Sequence, residues 1–231
     1  MRGTEDRTLI IRTTQGIFER TIPPPAPLHR HASHGAAAEL AIQDAAATWG
    51  LPDFVMSPMV ERKGREVREI SDGVIITGTR GLIIQVKVPR HPTRRHRQGD
   101  QLAEQEDCRR PQAVEGPARR LSSKTKTMTN GRGRQVTIDG PTIIWTGVVI
   151  IDHPSPPAGM PHADLSGRVP TVALLRQDWE FLFDQLRSSH AVITYLARVA
   201  GTSGALGEEP WRYSWMTPPR RSCRSTPKRS I

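Results

Sequence analysis

The stretch Glu69–Lys87, EISDGVIITGTRGLIIQVK, decides the fold of this chain. Two runs rich in apolar and β-branched residues, Val74–Thr77 and Leu82–Val86, are separated by the short segment Gly78–Gly81. Runs of this kind around a glycine-containing turn are typical of a β-hairpin. Because the second run is apolar at consecutive positions, both of its faces should be buried, as in a central strand of a sheet.

Polar residues stand at the open end of this predicted hairpin. In an antiparallel pair, residues that oppose each other point to the same face of the sheet. A turn centred in the middle of the GTRG segment places Asp72 opposite Lys87, and Val74 opposite Gln85. Side chains two positions apart on a strand also share a face. We therefore expect Asp72, Gln85 and Lys87 to converge, unless the register slips by one residue and turns Asp72 away.

These residue types suit a divalent-metal site for phosphodiester hydrolysis. Mg²⁺ prefers oxygen ligands, which the Asp72 carboxylate, the Gln85 amide and the Val86 carbonyl would supply. A bound metal lowers the pKa of its water, and Lys87 would orient that water or stabilise developing charge. The alternative is structural, since aspartate is common at turns and lysine at the surface ends of strands. A glutamine within an apolar strand fits that alternative less well, because it must find hydrogen-bond partners.

One neutral ligand leaves this site short of negative charge, and Glu39 is the candidate for a second carboxylate. Residues 35–49, GAAAELAIQDAAATW, are rich in alanine and predict a helix. Glu39 precedes an apolar stripe that includes Ile42 and Trp49, so it would lie at the end of the face that packs on the sheet. The alternative is that Glu39 only complements the helix dipole in the first turn.

The rest of the chain predicts an α/β or α+β domain with a mixed sheet flanked by helices. We expect a loosely ordered segment over 1–34, the domain over 35–209 and a basic disordered tail over 210–231. Residues 89–120 show no sustained period and form either an insert or a poorly patterned helix.

Several further elements are predicted within that domain. Two strands, 134–138 and 142–152, flank Asp139 and Gly140, which is a strong hairpin signal. A buried strand over 169–175 follows. The remaining predictions are helix caps at Asp178 and at Ser188 or Ser189.

Composition limits the classes of function. No apolar run approaches the ~18 residues of a membrane-spanning helix, and the N-terminus lacks a signal-peptide core. A cytoplasmic protein without a membrane partner is therefore the expectation. The net charge of +10 favours a nucleic-acid partner. Residues 89–134 and 212–231, outside the predicted core, carry more than this excess, and the rest of the chain is slightly acidic. Charge alone is therefore a weak argument.

The pattern D-G-x₁₁-Q-x-K, formed by Asp72, Gly73, Gln85 and Lys87, resembles the Mrr-type branch of the PD-(D/E)XK, restriction-endonuclease-like nucleases. The resemblance covers about residues 35–88. It implies a restriction-endonuclease-like core, with metal ligation by Asp72, Gln85 and Glu39 and with Lys87 assisting the attacking water. The segment 172–201 is also similar to uncharacterised actinobacterial proteins that bear a nuclease-like domain.

The resemblance implies a function as well as a site. It implies a metal-dependent nuclease that hydrolyses DNA, less often RNA, with Mg²⁺ or Mn²⁺ as cofactor. The alternative is a nuclease-fold protein without catalysis that binds nucleic acid or a protein partner. A homodimer is compatible with both.

Overall fold

The structure is a computed structural model that describes residues 7–57, 59–63, 66–88, 112–153 and 167–201. The described residues form eleven strands: β1 (Arg7–Thr13), β2 (Gly16–Ile22), β3 (Val55–Met56), β4 (Met59–Lys63), β5 (Glu66–Ser71), β6 (Gly73–Thr77), β7 (Arg80–Lys87), β8 (Thr125–Thr129), β9 (Gln135–Asp139), β10 (Ile144–Ile151) and β11 (Thr171–Leu175). They also form four α-helices: α1 (His34–Gly50), α2 (Gln112–Leu121), α3 (Arg176–Leu186) and α4 (Ser189–Val199).

A five-stranded mixed sheet in the order β11-β10-β7-β6-β3 forms the centre of the fold. Strands β3, β6 and β7 pair antiparallel, whereas β7, β10 and β11 pair parallel. The other strands form three two-stranded sheets, β1-β2, β4-β5 and β8-β9. The predicted α/β class, with a mixed sheet and flanking helices, is confirmed.

The sheet separates two hydrophobic cores, because side chains alternate between the faces of each strand. In β7, Leu82 and Ile84 point into the core beneath α1, α3 and α4, whereas Ile83 points into the core beneath α2. Each fully buried side chain of this kind contributes about 1.5–3 kcal/mol. Both faces of β7 are therefore covered, as its run of consecutive apolar residues predicts.

Helix α1 confirms the predicted helix over 35–49. It begins after Ser33, whose hydroxyl oxygen accepts a hydrogen bond from the backbone of the first turn. Ile42 is buried against the sheet as expected. Trp49 departs from the predicted stripe, since it is 38% exposed and packs beneath the Arg187 guanidinium, 4.8 Å from the ring centre.

The predicted hairpin around Asp139 and Gly140 is wrong. Strand β9 pairs with β8, while β10 joins the central sheet. Gly140 begins a 3-10 turn, Gly140–Thr142, and a Cβ there would overlap the carbonyl of Leu121. This glycine is therefore required by close packing and does not turn one strand back on the next.

The described part of the N-terminal segment contains a β-hairpin and contacts with α3. Residues 7–22 form the β1-β2 hairpin, and the chain that follows lies against α3. The carbonyls of Ile22 and Pro23 accept hydrogen bonds from the Gln177 side chain at 3.0 and 2.8 Å. We call residues 22–33 the N-terminal strap, because these contacts tie them to the domain.

The two C-terminal helices confirm one predicted cap and overturn the other. Helix α3 begins at Arg176, so Asp178 lies inside its first turn, fully buried, and is not the cap residue. Ser188 caps α4, and its hydroxyl oxygen accepts a hydrogen bond from the Ala191 backbone at 3.4 Å. None of the helices in the described part of the chain is long and apolar enough to cross a membrane.

Helix α2 begins within the segment 89–120, at Gln112, and ends at Leu121. The rest of that segment, 89–111, lies outside the described residues, as does the predicted tail over 210–231.

Candidate functional site

The turn of the β6-β7 hairpin sets which residues meet at its open end. The turn consists of Gly78 and Thr79, since Thr77 pairs with Arg80. Gly78 has a φ of +56°, a left-handed conformation that glycine adopts at little cost and that suits a two-residue hairpin turn.

This turn lies one residue earlier than predicted, so the pairing shifts by two residues. Val74 faces Ile83 and not Gln85. The predicted pairing of Asp72 with Lys87 is also wrong, because β6 begins only after Asp72. A shift of two residues keeps every side chain of a strand on its original face. The two-residue shift therefore changes which residues of β6 and β7 face each other. It leaves the polar residues at the open end of the hairpin.

Three groups of Asp72 are held by hydrogen bonds. Its backbone nitrogen donates to the Ile84 carbonyl at 3.2 Å, and its carbonyl accepts from Nε2 of Gln43 at 2.9 Å. Its carboxylate oxygen Oδ2 accepts from the Val86 backbone nitrogen at 2.5 Å. The register of the hairpin would place Ser71 opposite Val86, so the carboxylate takes the place of a strand carbonyl.

This contact places the carboxylate against the backbone of Val86. The side chains of Gln85 and Lys87, on either side of Val86 in sequence, share one face of β7. Both side chains are half-buried. Nε2 of Gln85 donates to the Ile84 carbonyl at 3.2 Å, which leaves the amide oxygen for a ligand. The structure thus brings Asp72, Gln85 and Lys87 together at the open end of the hairpin.

Burial raises the pKa of Asp72 above the usual value for an aspartate. The hydrogen bond from Val86 and the positive charge of Lys87 act in the opposite direction and offset part of this effect. The ionised carboxylate is therefore poorly solvated, and a cation beside it would stabilise the charged form.

The Val86 carbonyl lies on the same edge of β7 as the Asp72 carboxylate. The N–H and C=O of a strand residue point to the same neighbour, and the Val86 N–H meets Asp72. The Val86 side chain packs on the opposite core, beneath α1 and α3. Only its backbone is therefore presented to the candidate site.

Glu39 lies on α1, one helical turn before Gln43. Residues four apart share one side of a helix, so Glu39 lies on the row that contacts Asp72 through Gln43. It is the sixth residue of α1, and the first turn contains no acidic residue. The helix-dipole interpretation of Glu39 loses support, because that effect is confined to the first turn.

The donors at this end of the hairpin fit a hard cation, with little negative charge. Asp72, Gln85 and Val86 offer a carboxylate, an amide oxygen and a carbonyl, all of which Mg²⁺ accepts. Within the part of the chain that the structure describes, no three His, Cys, Asp or Glu side chains are grouped so as to hold a metal. A site here depends on neutral oxygens. Glu39 would have to supply a second carboxylate from α1, which packs on the sheet face opposite to Gln85 and Lys87.

A second acidic cluster lies beside this site and was missed by the sequence patterns. Asp152 follows β10, and its backbone nitrogen donates to the Lys87 carbonyl at 3.0 Å. Its carboxylate bonds to Nε of Arg176 at 2.9 Å and lies 2.8 Å from Nε2 of His34. The signal was present, since Asp152 ends an apolar run that forms a parallel strand and such ends carry polar residues.

Arg176 joins this cluster to the N-terminal strap. Its NH1 donates to Glu180 at 2.7 Å and to the Ala26 carbonyl at 2.8 Å, and the Ala26 nitrogen donates back to Glu180 at 2.7 Å. Burial raises the pKa of Glu180, and the hydrogen bond from Ala26 and the charge of Arg176 offset part of the shift. We call Asp152, Arg176, Glu180, His34 and Ala26 the Asp152 network.

No protein-family model, curated protein or solved structure matches this chain. The geometry of the site therefore carries the functional argument.

Proposed function

We propose that this chain is a metal-dependent nuclease that hydrolyses DNA phosphodiester bonds in the cytoplasm. The observation that carries the proposal is the Asp72 carboxylate, held against the Val86 backbone between Gln85 and Lys87. The order and spacing of these residues also resemble the Mrr-type branch of the restriction-endonuclease-like nucleases.

Each residue of the site has a distinct role in this proposal. Asp72, Gln85 and the Val86 carbonyl would hold Mg²⁺ or Mn²⁺, and Glu39 would add a second carboxylate. An ion held there would lower the pKa of a bound water and offset charge on the phosphate. Lys87 is the last residue of β7, and its ammonium group would orient the attacking water or stabilise the developing negative charge. The hydrogen bond from Val86 fixes one carboxylate oxygen of Asp72 and leaves the other for the cation.

Cleavage of supercoiled plasmid DNA tests this function. We expect nicking or linearisation that needs Mg²⁺ or Mn²⁺ and stops with a chelator. Lys87→Ala should reduce the rate by about 10²–10³-fold, as does loss of one group that stabilises a transition state. Asp72→Asn should abolish cleavage, because the amide can still accept from Val86 but cannot supply the charge that holds the ion.

Matched controls make this result specific. Asp44→Asn changes an exposed aspartate of α1, and Lys124→Ala changes an exposed lysine outside the candidate site. Both should cleave at the wild-type rate. Undiminished cleavage by the Asp72 and Lys87 variants would exclude this site as the catalytic centre.

The alternative is a nuclease-fold protein that binds nucleic acid or a protein partner without cleavage. The low charge of the donor set favours it, since the described residues provide no group of three acidic, His or Cys ligands. It predicts DNA binding that weakens steeply with salt, with no cleavage in either metal. Gel-shift titrations at several salt concentrations, with the cleavage assay run in parallel, separate the two.

A further inference from the structure

We propose that Gln43 is a positioning residue for Asp72, and that helix α1 thereby controls the metal affinity of the site. This inference rests on the proposed metal site, and it assigns no contact between Gln43 and the ion. Its basis is the 2.9 Å hydrogen bond from Nε2 of Gln43 to the Asp72 carbonyl, which joins residues 29 positions apart.

The Asp72 backbone needs a third anchor because this residue lies between β5 and β6, outside both strands. The backbone nitrogen and Oδ2 of Asp72 are both held by β7, through Ile84 and Val86. The carbonyl belongs to the peptide that joins Asp72 to Gly73, and a glycine allows that peptide to rotate more freely than another residue would. Gln43 holds this carbonyl, so the peptide cannot turn and swing the carboxylate off Val86.

Gln43 is suited to this task by its place on α1. Its neighbour Ile42 is buried in the core beneath α1, α3 and α4, as is Ala46 one turn on. Trp179 of α3 also donates to the Ile42 carbonyl at 3.0 Å. The helix backbone at Gln43 is thus fixed by packing, and its half-buried side chain carries that rigidity to Asp72.

A positioning role differs from a structural one in what its loss changes. A glutamine that merely satisfies a carbonyl would affect stability alone. A residue that orients a ligand would affect metal affinity, and loss of such supporting contacts typically costs 10–100-fold. Binding of the metal, measured without substrate, separates the two roles.

The test is Mn²⁺ titration of the full chain by calorimetry, for wild type and Gln43→Met. Methionine keeps the length of the side chain but cannot donate, so we expect Mn²⁺ affinity to fall by about 10-fold or more. The control is Gln185→Met, the same substitution at an exposed glutamine of α3 whose Nε2 bonds only its neighbour Asp184 at 2.9 Å. That variant should bind Mn²⁺ as wild type does.

Asp72→Asn separates failure of this inference from failure of the proposed function. If wild type binds Mn²⁺ and Asp72→Asn does not, the metal site stands. Unchanged affinity in Gln43→Met then overturns the positioning role alone. If wild type binds no Mn²⁺, both proposals are overturned.

A metal-free measurement keeps the inference testable if Gln43→Met is poorly folded. Gln43→Glu removes the donor with a smaller change of shape, and hydrogen exchange of the Val86 amide reports on the Asp72 carboxylate that covers it. We expect faster exchange at Val86 in Gln43→Glu than in wild type, with other β7 amides unchanged. Equal protection of Val86 in both proteins would overturn the role of Gln43.

Discussion

The candidate site and the Asp152 network lie side by side at the ends of β7 and β10, and they differ in how their carboxylates are bound. In the Asp152 network, Arg176 bonds both Asp152 and Glu180, and its side chain is only 7% exposed. At the candidate site, one oxygen of Asp72 is held by a backbone N–H. The charge of Lys87 acts on Asp72, but the two form no ion pair among the described residues. The Asp152 network is complete as it stands, whereas the candidate site has oxygen atoms left for a ligand.

A raised pKa does not distinguish these clusters. Burial is the largest cause of the raised pKa for both Asp72 and Glu180. The distinction lies in the partners. Both oxygens of Glu180 accept hydrogen bonds, from Arg176 and Ala26, whereas only Oδ2 of Asp72 accepts one from the described residues. Perturbed acids therefore point to function here only when their hydrogen bonds are counted as well.

The largest effect on stability is expected from a substitution in the Asp152 network. Arg176→Leu should lower the free energy of unfolding by about 3–5 kcal/mol, because it leaves the buried Asp152 and the half-buried Glu180 without the arginine that pairs with both. Urea denaturation at neutral pH measures this loss. The matched change is Arg198→Leu, at an exposed arginine of α4 that lies 5.5 Å from the Tyr195 ring and should cost about 0.5–1 kcal/mol.

Equal effects of the two arginine substitutions would contradict the comparison. A loss below about 1 kcal/mol in Arg176→Leu would show that the buried charges are neutralised or rehydrated without help. The Asp152 network would then not be the structural member of the pair.

The face on which Gln85 and Lys87 lie was more predictable from sequence than the exact strand pairing of the hairpin was. Side-chain period on a strand is two, so a turn misplaced by one residue moved the pairing by two and left Gln85 and Lys87 on the expected face. The turn forms at Gly78, which has a positive φ. The sequence GTRG does not reveal this, because Gly81 is a second candidate for the turn. The role of Gln43 could not be predicted, since a contact across 29 residues depends on tertiary packing.

The same limit explains the errors in the fold. Asp139 and Gly140 carry a strong local turn signal, but β8 competes for β9 and the close approach of Leu121 requires the glycine. Asp178 has the residue type of a cap, which would start α3 at Trp179. The helix starts three residues earlier, at Arg176, which the Asp152 network holds. Local patterns located the elements, while long-range contacts set their partners and ends.

Loss of charge at the candidate site should have the opposite effect on stability from loss of charge in the Asp152 network. Asp72→Asn should change stability by no more than about 1 kcal/mol at acid pH, since the amide oxygen still accepts from Val86. The folded pKa of Asp72 is raised, so the folded state holds the proton more tightly than the unfolded state. The contribution of Asp72 to stability is therefore full below its unfolded pKa and is lost as pH rises through the folded pKa.

It follows that Asp72→Asn should gain stability relative to wild type as the pH rises across that window. Urea denaturation of both proteins at a series of pH values from 3 to 7 measures the difference. Asp44→Asn, at an exposed position of the same helix that carries Gln43, should show no such trend. The opposite trend, in which Asp72→Asn loses stability relative to wild type as the pH rises, would mean that the fold stabilises the ionised carboxylate. That result would contradict the raised pKa of Asp72.

The smallest expected effect concerns Lys87, whose charge partly offsets the burial of Asp72. Lys87→Ala should raise the pKa of Asp72 further, because a neighbouring cation that favours the ionised form is removed. The cost in unfolding free energy should stay within about 0.2–1 kcal/mol, as for other partly exposed charge pairs. Carboxyl-detected NMR titration of Asp72 measures the shift, with Lys124→Ala as the matched change. An unchanged titration of Asp72 in Lys87→Ala would show that the two side chains do not interact. The candidate site would then keep Asp72 but not Lys87.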